Sequence, residues 1–470
     1  MSRLALAILM VAVLLPVSPN AARASTLADA LVAAYRNSNL LDQNRALLRA
    51  TDEDLVQAHA RLLPVINFVS RFLTNSAGAP DYRLSFAVSI DFPLIDFGRG
   101  ALGVDLAREQ ILSARAGLIV VEQRVLLQAI AAYLGLYNAR QTVTLQRSNV
   151  SLIEEQLRAA RERFELGAST RTDVAIAEAR LAAARSALAA AEGDVAVARE
   201  DFRFAVGRYP NGALRAPPRL PSLPASLEAA QARARSHHPA ILQAQHQVSA
   251  ADLATRITRT ERFGSVSGNL SLEARRQATG PLGGATSSDV TASLGYQVPL
   301  YAGGRLNSAE RQSIARAEAQ RAALHQTVAQ VNQAVGQAWA QLSVARARLE
   351  ASTLQIEAAQ AALDAVTAEA ELGSLTTLDV LNSEQELQDA RASRMLAGVA
   401  LQQAAYVLLE STGQLTVSSL NLGIPVYDVA AYYDSLRRPR QGSRPAAQPS
   451  AQGQRLDRIQ GRFTGTNAER

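Results

Sequence analysis

The sequence contains no cysteine and no lysine, and aromatic side chains make up only 5% of its 470 residues. Without cysteine there is no disulfide scaffold, thiolate metal site, cysteine nucleophile or N-terminal lipoprotein anchor. Long apolar runs are scarce too. The run from Leu4 to Val17 follows Arg3 and precedes Ala22-Arg23-Ala24, and it falls short of the about 18–20 residues that a spanning helix needs. A basic start, a short apolar stretch and a small-x-small site predict a cleaved secretory leader over residues 1–24. No later segment reaches spanning length. A mature chain that meets a bilayer therefore does so with strands or an amphipathic surface.

The 48 basic residues, all arginine, exceed the 42 acids to give a net charge of +6. That surplus sits at the ends. The leader holds two arginines and no acid, and residues 437–470 hold eight arginines against Asp457 and Glu469, so the body from Ser25 to Leu436 is left at −2. A mildly acidic body carries no duplex or single-strand footprint, which excludes a nucleic-acid partner. The tail over 437–470 is rich in Pro, Gly, Gln, Ser and Arg and reads as a disordered basic segment. The sequence shows no phosphate loop, zinc-protease motif or nucleophile elbow, so it reads as neither an enzyme nor a cofactor protein. His237, His238 and His246 lack a completing spacing and read as surface histidines rather than a metal site. Trp339 lies beside an apolar seam and reads as packing.

An internal repeat organises the chain. Phe92-Pro93-Leu94 and Gly98-Arg99 recur as Val298-Pro299-Leu300 and Gly304-Arg305, an offset of 206 residues. The same offset maps Glu165-Leu166-Gly167 onto Glu371-Leu372-Gly373, and Asp173-Val174 onto Asp379-Val380. Upstream the offset is 200, mapping Leu27 onto Leu227, and the difference falls in a hairpin tip. Within each copy the hydrophobic period changes in order. It is helical from Leu27 to Leu62, and from Leu227 to Arg262 with an interruption at Pro239. It becomes two over Tyr82, Leu84, Phe86, Val88, Ile90 and Phe92, with polar residues between, and over Val290 to Val298. Asn75 to Pro80 and Thr279 to Ser288 are the expected hairpin tips, leaving four strands of about 9–12 residues, each apolar on one face.

No proline interrupts Pro93 to Pro210 or Pro299 to Pro425. In the second interval Leu324, Val328, Val331, Val335, Ala338, Leu342, Ala345 and Leu349 step alternately by four and three, and Leu118 to Phe164 repeat the heptad in the first. Such a seam packs as a coiled coil, and its length is on the order of 100 Å. At Gly167 and Gly373 each rod turns, and a helical pattern resumes at Thr172 and Leu378.

The expected organisation is therefore a leader (1–24), a first repeat (25–210) and a Pro-rich equatorial linker (211–225), then a second repeat (226–415), an equatorial segment (416–436) and the tail. The first repeat holds a hairpin over 65–95, a long helix over 98–164 and a return helix over 172–207. The second holds the same elements over 265–300, 304–371 and 378–413. The fold class is mainly α with a transmembrane β-barrel portion, a long coiled-coil tunnel with four strands per chain. Four one-sided strands cannot close a barrel, and open edges are not tolerated in lipid, so several chains must contribute to one barrel.

These features together resemble the TolC-type outer-membrane efflux proteins over about residues 26–436: the duplicated helix, hairpin, long helix and return helix, with their Pro-Leu…Gly-Arg junctions and Leu-Gly…Asp-Val turns. The resemblance implies a homotrimer with a 12-stranded barrel in outer-membrane lipid and a twelve-helix tunnel in the periplasm of a Gram-negative bacterium. It implies an exit duct that passes cargo from an inner-membrane ABC or proton-driven transporter and a periplasmic adaptor, in type I protein secretion, drug efflux or both. Val426-Tyr427-Asp428 and Tyr433 resemble the type I secretion branch. The family's constriction ring falls on Asp379 and Asn382, and its gate-linking aspartate on Asp173. The tyrosine and arginine partners of that aspartate fall on Ala370 and Leu375, which leaves Arg171 or Arg163 to hold the closed state. Asp173 and Asp379 also stand where a helix N-terminus takes a capping carboxylate. The alternatives are a periplasmic adaptor of the same systems, which carries a single hairpin, and a coiled-coil spacer, which leaves the strands unexplained.

Overall fold

The computed structural model describes residues 25–75, 81–167, 170–279, 284–372 and 374–437. The expected leader, the tail beyond residue 437 and the tip residues 76–80 and 280–283 lie outside the described residues. Two compact units divide the chain, one up to Tyr427 and one from Asp428. The first runs α1 (Leu27–Asn37), α2 (Asn39–Ala60), β1 (Val65–Asn75), β2 (Asp81–Ile95), α3 (Arg99–Glu165) and α4 (Arg171–Val206). It continues with α5 (Leu227–His237), α6 (Pro239–Thr260), β3 (Ser265–Thr279), β4 (Gly284–Gln297), α7 (Arg305–Glu371) and α8 (Thr377–Ser411). The same six elements occur twice, and the pairs α1/α5, α2/α6 and α3/α7 match at 11, 22 and 67 residues.

The opening helix of the first copy, expected to be continuous, breaks at Ser38. Ser38 is extended at φ −72° and ψ 112°, and its hydroxyl accepts from Leu41 N at 3.2 Å, so α2 has its own N-cap. His238 caps α6 in the same way, its Nδ1 accepting from Ala240 N at 3.2 Å ahead of Pro239. That ring, expected at the surface, is half-buried, and burial holds its pKa below the usual histidine range. Each break receives the end of a return helix. Asn37 Nδ2 donates to Val206 O at 3.2 Å, beside Gly207 at φ +81°. In the second copy Gly413, at φ +77°, lies so close to His237 and His238 that an added Cβ would stand 3.1 Å from His238 Cα.

The strands form one antiparallel meander, β1-β2-β3-β4, with β2 and β3 pairing across the repeat boundary. The register sets Phe68, Val88, Leu272 and Val290 in one row, and Ile66, Ile90, Leu270 and Ala292 in another on the same face. Between them Asn67, Ser89, Ser271 and Thr291 occupy the opposite face. On the apolar face Phe68 stacks with Phe86, and Phe72 with Tyr82, at centroid distances of 6.4 and 6.3 Å. On the polar face Asp91 accepts from Asn67 Nδ2 at 3.2 Å and Asn269 Nδ2 at 2.6 Å.

The strands measure 11, 15, 15 and 14 residues, so β1 has the expected length and β2, β3 and β4 are longer than their periodicity predicts. Gly284 to Ser288, expected in a tip, extend β4 opposite β3, because ladder hydrogen bonds need no apolar side chain. At its other end β4 stops at Gln297, so Val298 and Pro299, expected in the hairpin, lie beyond it. Proline has no N–H to give the ladder. Pro93 stays within β2, and the register shifts between it and Ile95.

At ~1.5 Å per residue, α3 and α7 are rods on the order of 100 Å. Val335, Ala338, Leu342 and Ala345 of α7 are buried with Ala404, Ala405 and Leu408 of α8. Ile153, Leu157 and Ala160 of α3 meet Ala177, Leu181 and Ala184 of α4 in the same large-to-small way. Phe164, placed in the seam by its period, is half exposed because the coil ends within a turn of it. Contrary to the sequence reading, α3 contains an 18-residue stretch as apolar as a membrane span, with mean hydropathy 1.4, half of it buried within the chain.

The belt around the rods is polar at a few buried points. Tyr133 OH lies 3.0 Å from Ser25 O and 2.8 Å from Arg215 O, and Ser25 bridges to Leu214. The segment after α8 is held where Glu122 Oε1 accepts from Val417 N at 2.7 Å, and where the Arg45 guanidinium lies 4.9 Å from the Tyr35 ring and 5.2 Å from that of Tyr427. In the second unit α9 (Ala431–Arg437) begins beside Asp428, whose Oδ1 accepts from Ala430 N and Ala431 N at 2.8 and 3.1 Å.

Candidate functional site

Two turns close the coiled coils. In the first, Leu166 caps the end of α3 and Gly167 follows at φ +76°, a conformation glycine adopts without strain. Thr170 then caps α4: its hydroxyl accepts from Asp173 N at 3.3 Å, while Asp173 Oδ2 accepts from Thr170 N at 2.9 Å. The second turn repeats this with Thr376 and Asp379 at 3.3 and 2.9 Å. Its expected glycine, Gly373, lies outside the described residues. Hydrogen bonds from the Thr376 hydroxyl and backbone N–H hold the Asp379 carboxyl below the usual range, so it remains ionised at neutral pH. Both aspartates expected at the gate are therefore also caps. Leu166 and Leu372 protrude at the two tips, 84% and 86% exposed.

One turn past Asp379, Asn382 Oδ1 accepts from Arg180 Nη2 at 2.9 Å, which ties α8 to α4 of the other repeat. Glu384 Oε1 accepts from Gln156 Nε2 at 3.1 Å and ties α8 to α3. Sequence reasoning looked for such ties at Arg171 or Arg163. Arg171 is the exposed first residue of α4, and Arg163 lines a cavity of 280 Å³ with Gln156, Thr367, Ala370 and Val380. Ala370, where the resemblance looks for a tyrosine, thus forms part of a cavity wall. Glu384 and Gln156 were missed, although one signal was available. Glu384 is a carboxylate inside the apolar series Val380, Leu381 and Leu387 of α8, and it is 7% exposed. Burial raises its pKa against the opposing effect of the Gln156 hydrogen bond.

The strand-to-helix junctions frame the other end. Gly98 and Gly304 precede α3 and α7 at φ +83° and +82°. In the first copy Asp96 supplies the cap these glycines lack, accepting from Gly98 N at 3.0 Å and Gly100 N at 2.6 Å. The second copy has Ala302 there. Arg99 lines a wide cleft with Pro93, Asp54 and Arg61. Arg305 faces Glu261 at 3.7 Å, near a group in which Glu310 binds Arg259 at 3.0 Å and also Arg262. Pro299 sits in the connection between β4 and this network.

His246, expected as a surface histidine, is partly buried, and its Nδ1 stands 2.8 Å from Glu109 Oε2, joining α6 to α3. Among the described residues no group of three or more His, Asp or Glu side chains is arranged to hold a metal ion. Trp339 is half-buried against the α7/α8 seam.

Comparison with known proteins matches this architecture. The family described as outer membrane efflux protein matches residues 30–208 and 230–414, one segment per repeat. The outer membrane efflux protein BepC of Brucella suis is 34% identical over 422 residues, 89% of this chain and 91% of that protein. Outer membrane protein TolC of Vibrio cholerae is 25% identical over 434 residues, covering 86% of this chain and 94% of its own length. The crystal structure of the outer membrane protein VceC of Vibrio cholerae superposes with a TM-score of 0.69 at 18% identity, over 82% of this chain and 96% of that one. With its duplicated rods, one-sided sheet and tied turns, the chain belongs to the outer membrane efflux protein family.

Proposed function

We propose that three copies close their sheets into one 12-stranded barrel, which continues into a helical tunnel and serves as the exit duct for an inner-membrane transporter and its periplasmic adaptor. The observation that carries this reading is the sheet. It has one apolar and one polar face, and its edges β1 and β4 pair with nothing within the described chain. Unpaired strand edges are not tolerated in hydrocarbon, so closure needs further copies, and three meanders supply twelve strands. Phe68, Val88, Leu272 and Val290 then face lipid, while Asn67, Ser89, Ser271 and Thr291 line water.

The turns at Gly167 and Gly373 form the periplasmic tip, and Asp379 with Asn382 surrounds the constriction. Asp173 and Arg171 belong to the neighbouring turn, and the link that restrains α8 passes through Asn382 and Glu384. Residues 1–24 act as a removable leader, and residues 437–470 as a basic tail. Cell fractionation with unheated and heated electrophoresis tests the assembly. A heat-sensitive trimer in outer-membrane fractions is the expected result, and a soluble periplasmic monomer would overturn it.

A further inference from the structure

Glu384 and Gln388 lie one turn apart on α8, each 7% exposed. Each keeps one buried oxygen without a hydrogen bond, Oε2 of Glu384 and Oε1 of Gln388. Both atoms are acceptors when the carboxyl is ionised, and side chains at i and i+4 are neighbours on a helix. Each of these buried oxygens lacks a hydrogen to accept. A single proton on Glu384 supplies it: the resulting O–H donates to Gln388, while Oε1 continues to accept from Gln156 Nε2 of α3.

The internal repeat shows that this arrangement belongs to one copy alone. The equivalent of Glu384 at the 206-residue offset is Glu178, which is half exposed and paired with Arg161 at 2.6 Å. The equivalent of Arg161 is Thr367, so the second copy has lost the cation and turned its glutamate towards the other repeat. No cation takes the place of the lost arginine in setting the Glu384 pKa, which burial raises and the Gln156 hydrogen bond opposes. From α3 come Gln156 and, around the adjoining cavity, Glu155 and Arg163. From α7 comes Thr367, and from α4 comes Arg180, which is engaged by Asn382. On α8 itself Asp389 accepts from Gln385.

We propose that Glu384 and Gln388 form a proton-binding site that fastens α8 to α3 beside the constriction, so that the tunnel end is held more tightly as pH falls. The gating consequence rests on the placement of the constriction at Asp379 and Asn382; the proton site does not. Because the packed arrangement raises the affinity of Glu384 for its proton, the tie is complete below the ordinary glutamate pKa and is lost as pH rises through the raised one. One proton per protomer changes the tied-to-released ratio by at most about tenfold per pH unit.

The test uses the full-length trimer in lipid. Infrared difference spectra of the wild type and Glu384→Gln, recorded across a pH series, should show a protonated-carboxyl band above the ordinary carboxylate range that the variant lacks. Because the chain has no cysteine, spin labels can be placed at Arg158→Cys and Glu386→Cys to read the α3–α8 separation. The expected separation is short at acid pH and longer at alkaline pH in the wild type, but short throughout in Glu384→Gln, whose amide reproduces the protonated form. Gln388→Ala should move the midpoint to lower pH. Absence of the band, or a pH-dependent separation that survives in Glu384→Gln, overturns the proposal. Conductance in planar bilayers separates the two readings. If band and separation behave as expected while the pH profile of opening is the same in wild type and variant, the proton site stands and its placement at the gate falls.

Discussion

Glu122 offers the sharpest perturbation of the fold, because its side chain supports a buried backbone donor in the segment after α8. Its Oε1 accepts from Val417 N at 2.7 Å, with Glu122 8% and Val417 2% exposed. Glu122→Ala leaves that N–H without a partner away from water, at a cost of about 1–3 kcal/mol. The segment lies outside the long helices, so the loss should appear as local opening rather than global unfolding. Converted at about 1.4 kcal/mol per factor of ten, amide protection around Val417 should fall by about 5- to 150-fold. Glu122→Gln keeps the accepting oxygen and removes the need to bury a charge. Burial raises the Glu122 pKa, against the Val417 hydrogen bond and the Arg45 charge, so wild-type stability is complete below the ordinary glutamate value and declines as pH rises through the raised one. The Gln variant should therefore protect Val417 at least as well as wild type at neutral pH and lose the pH dependence. Hydrogen exchange with mass spectrometry on peptides spanning 412–427 reads both effects. Unchanged exchange in the Ala variant, or equal losses in Ala and Gln, would refute the reasoning.

Tyr133→Phe removes the hydroxyl next to the carbonyls of Ser25 and Arg215, and should lower the thermal midpoint of trimer dissociation by the equivalent of about 1–2 kcal/mol. Because the phenol pKa is pushed up to about 12, this difference should be flat from acid to mildly alkaline pH. Val290→Arg, on the apolar face, should weaken assembly by about 2–4 kcal/mol if it lies near the bilayer midplane, whereas Thr291→Arg on the polar face should assemble normally and alter conductance. Asp379→Ala should reduce cation selectivity and block by multivalent cations in single-channel recordings, while Thr376→Ala, which removes a cap partner and keeps the carboxylate, should leave selectivity in place.

What the sequence makes visible depends on how far apart the cooperating residues stand. The heptads of α3 and α7 and the alternation in the strands are local periods, so the fold class is legible from them. Thr170-x-x-Asp173 and Thr376-x-x-Asp379 are local as well, and their capping geometry follows from spacing alone. The break at Ser38 is not legible in this way, because the adjoining Asn37 meets Val206 across 169 residues and no proline marks the site. The extra length of β4 is hidden for a different reason: Gly284 to Ser288 carry no alternation and gain strand structure only from the ladder opposite. The ties Arg180–Asn382 and Gln156–Glu384 join residues 202 and 228 apart. They become visible only when the two repeats lie side by side.

The duplication also explains where specialisation can enter without loss of the architecture. The two rods have equal lengths, so an insertion inside one would shift its seam against its return helix. Single exchanges at equivalent positions carry no such penalty. Asp96 against Ala302 gives one junction a side-chain cap and leaves the other to its glycine. Phe97 against Gly303 places a strained φ of +53° in the first copy and a relaxed one of +56° in the second, and the Phe97 ring lies 5.7 Å from that of Phe263. Arg161 against Thr367 frees one glutamate of a conserved-length coil from its surface ion pair and lets it reach across the repeat boundary. Restoring the cation tests this directly: in Thr367→Arg the new guanidinium should draw Glu384 into an exposed pair like Arg161–Glu178, break its contact with Gln156, and leave the α3–α8 separation long at every pH. A separation that stays short at acid pH in this variant would show that the lost arginine is not what released Glu384.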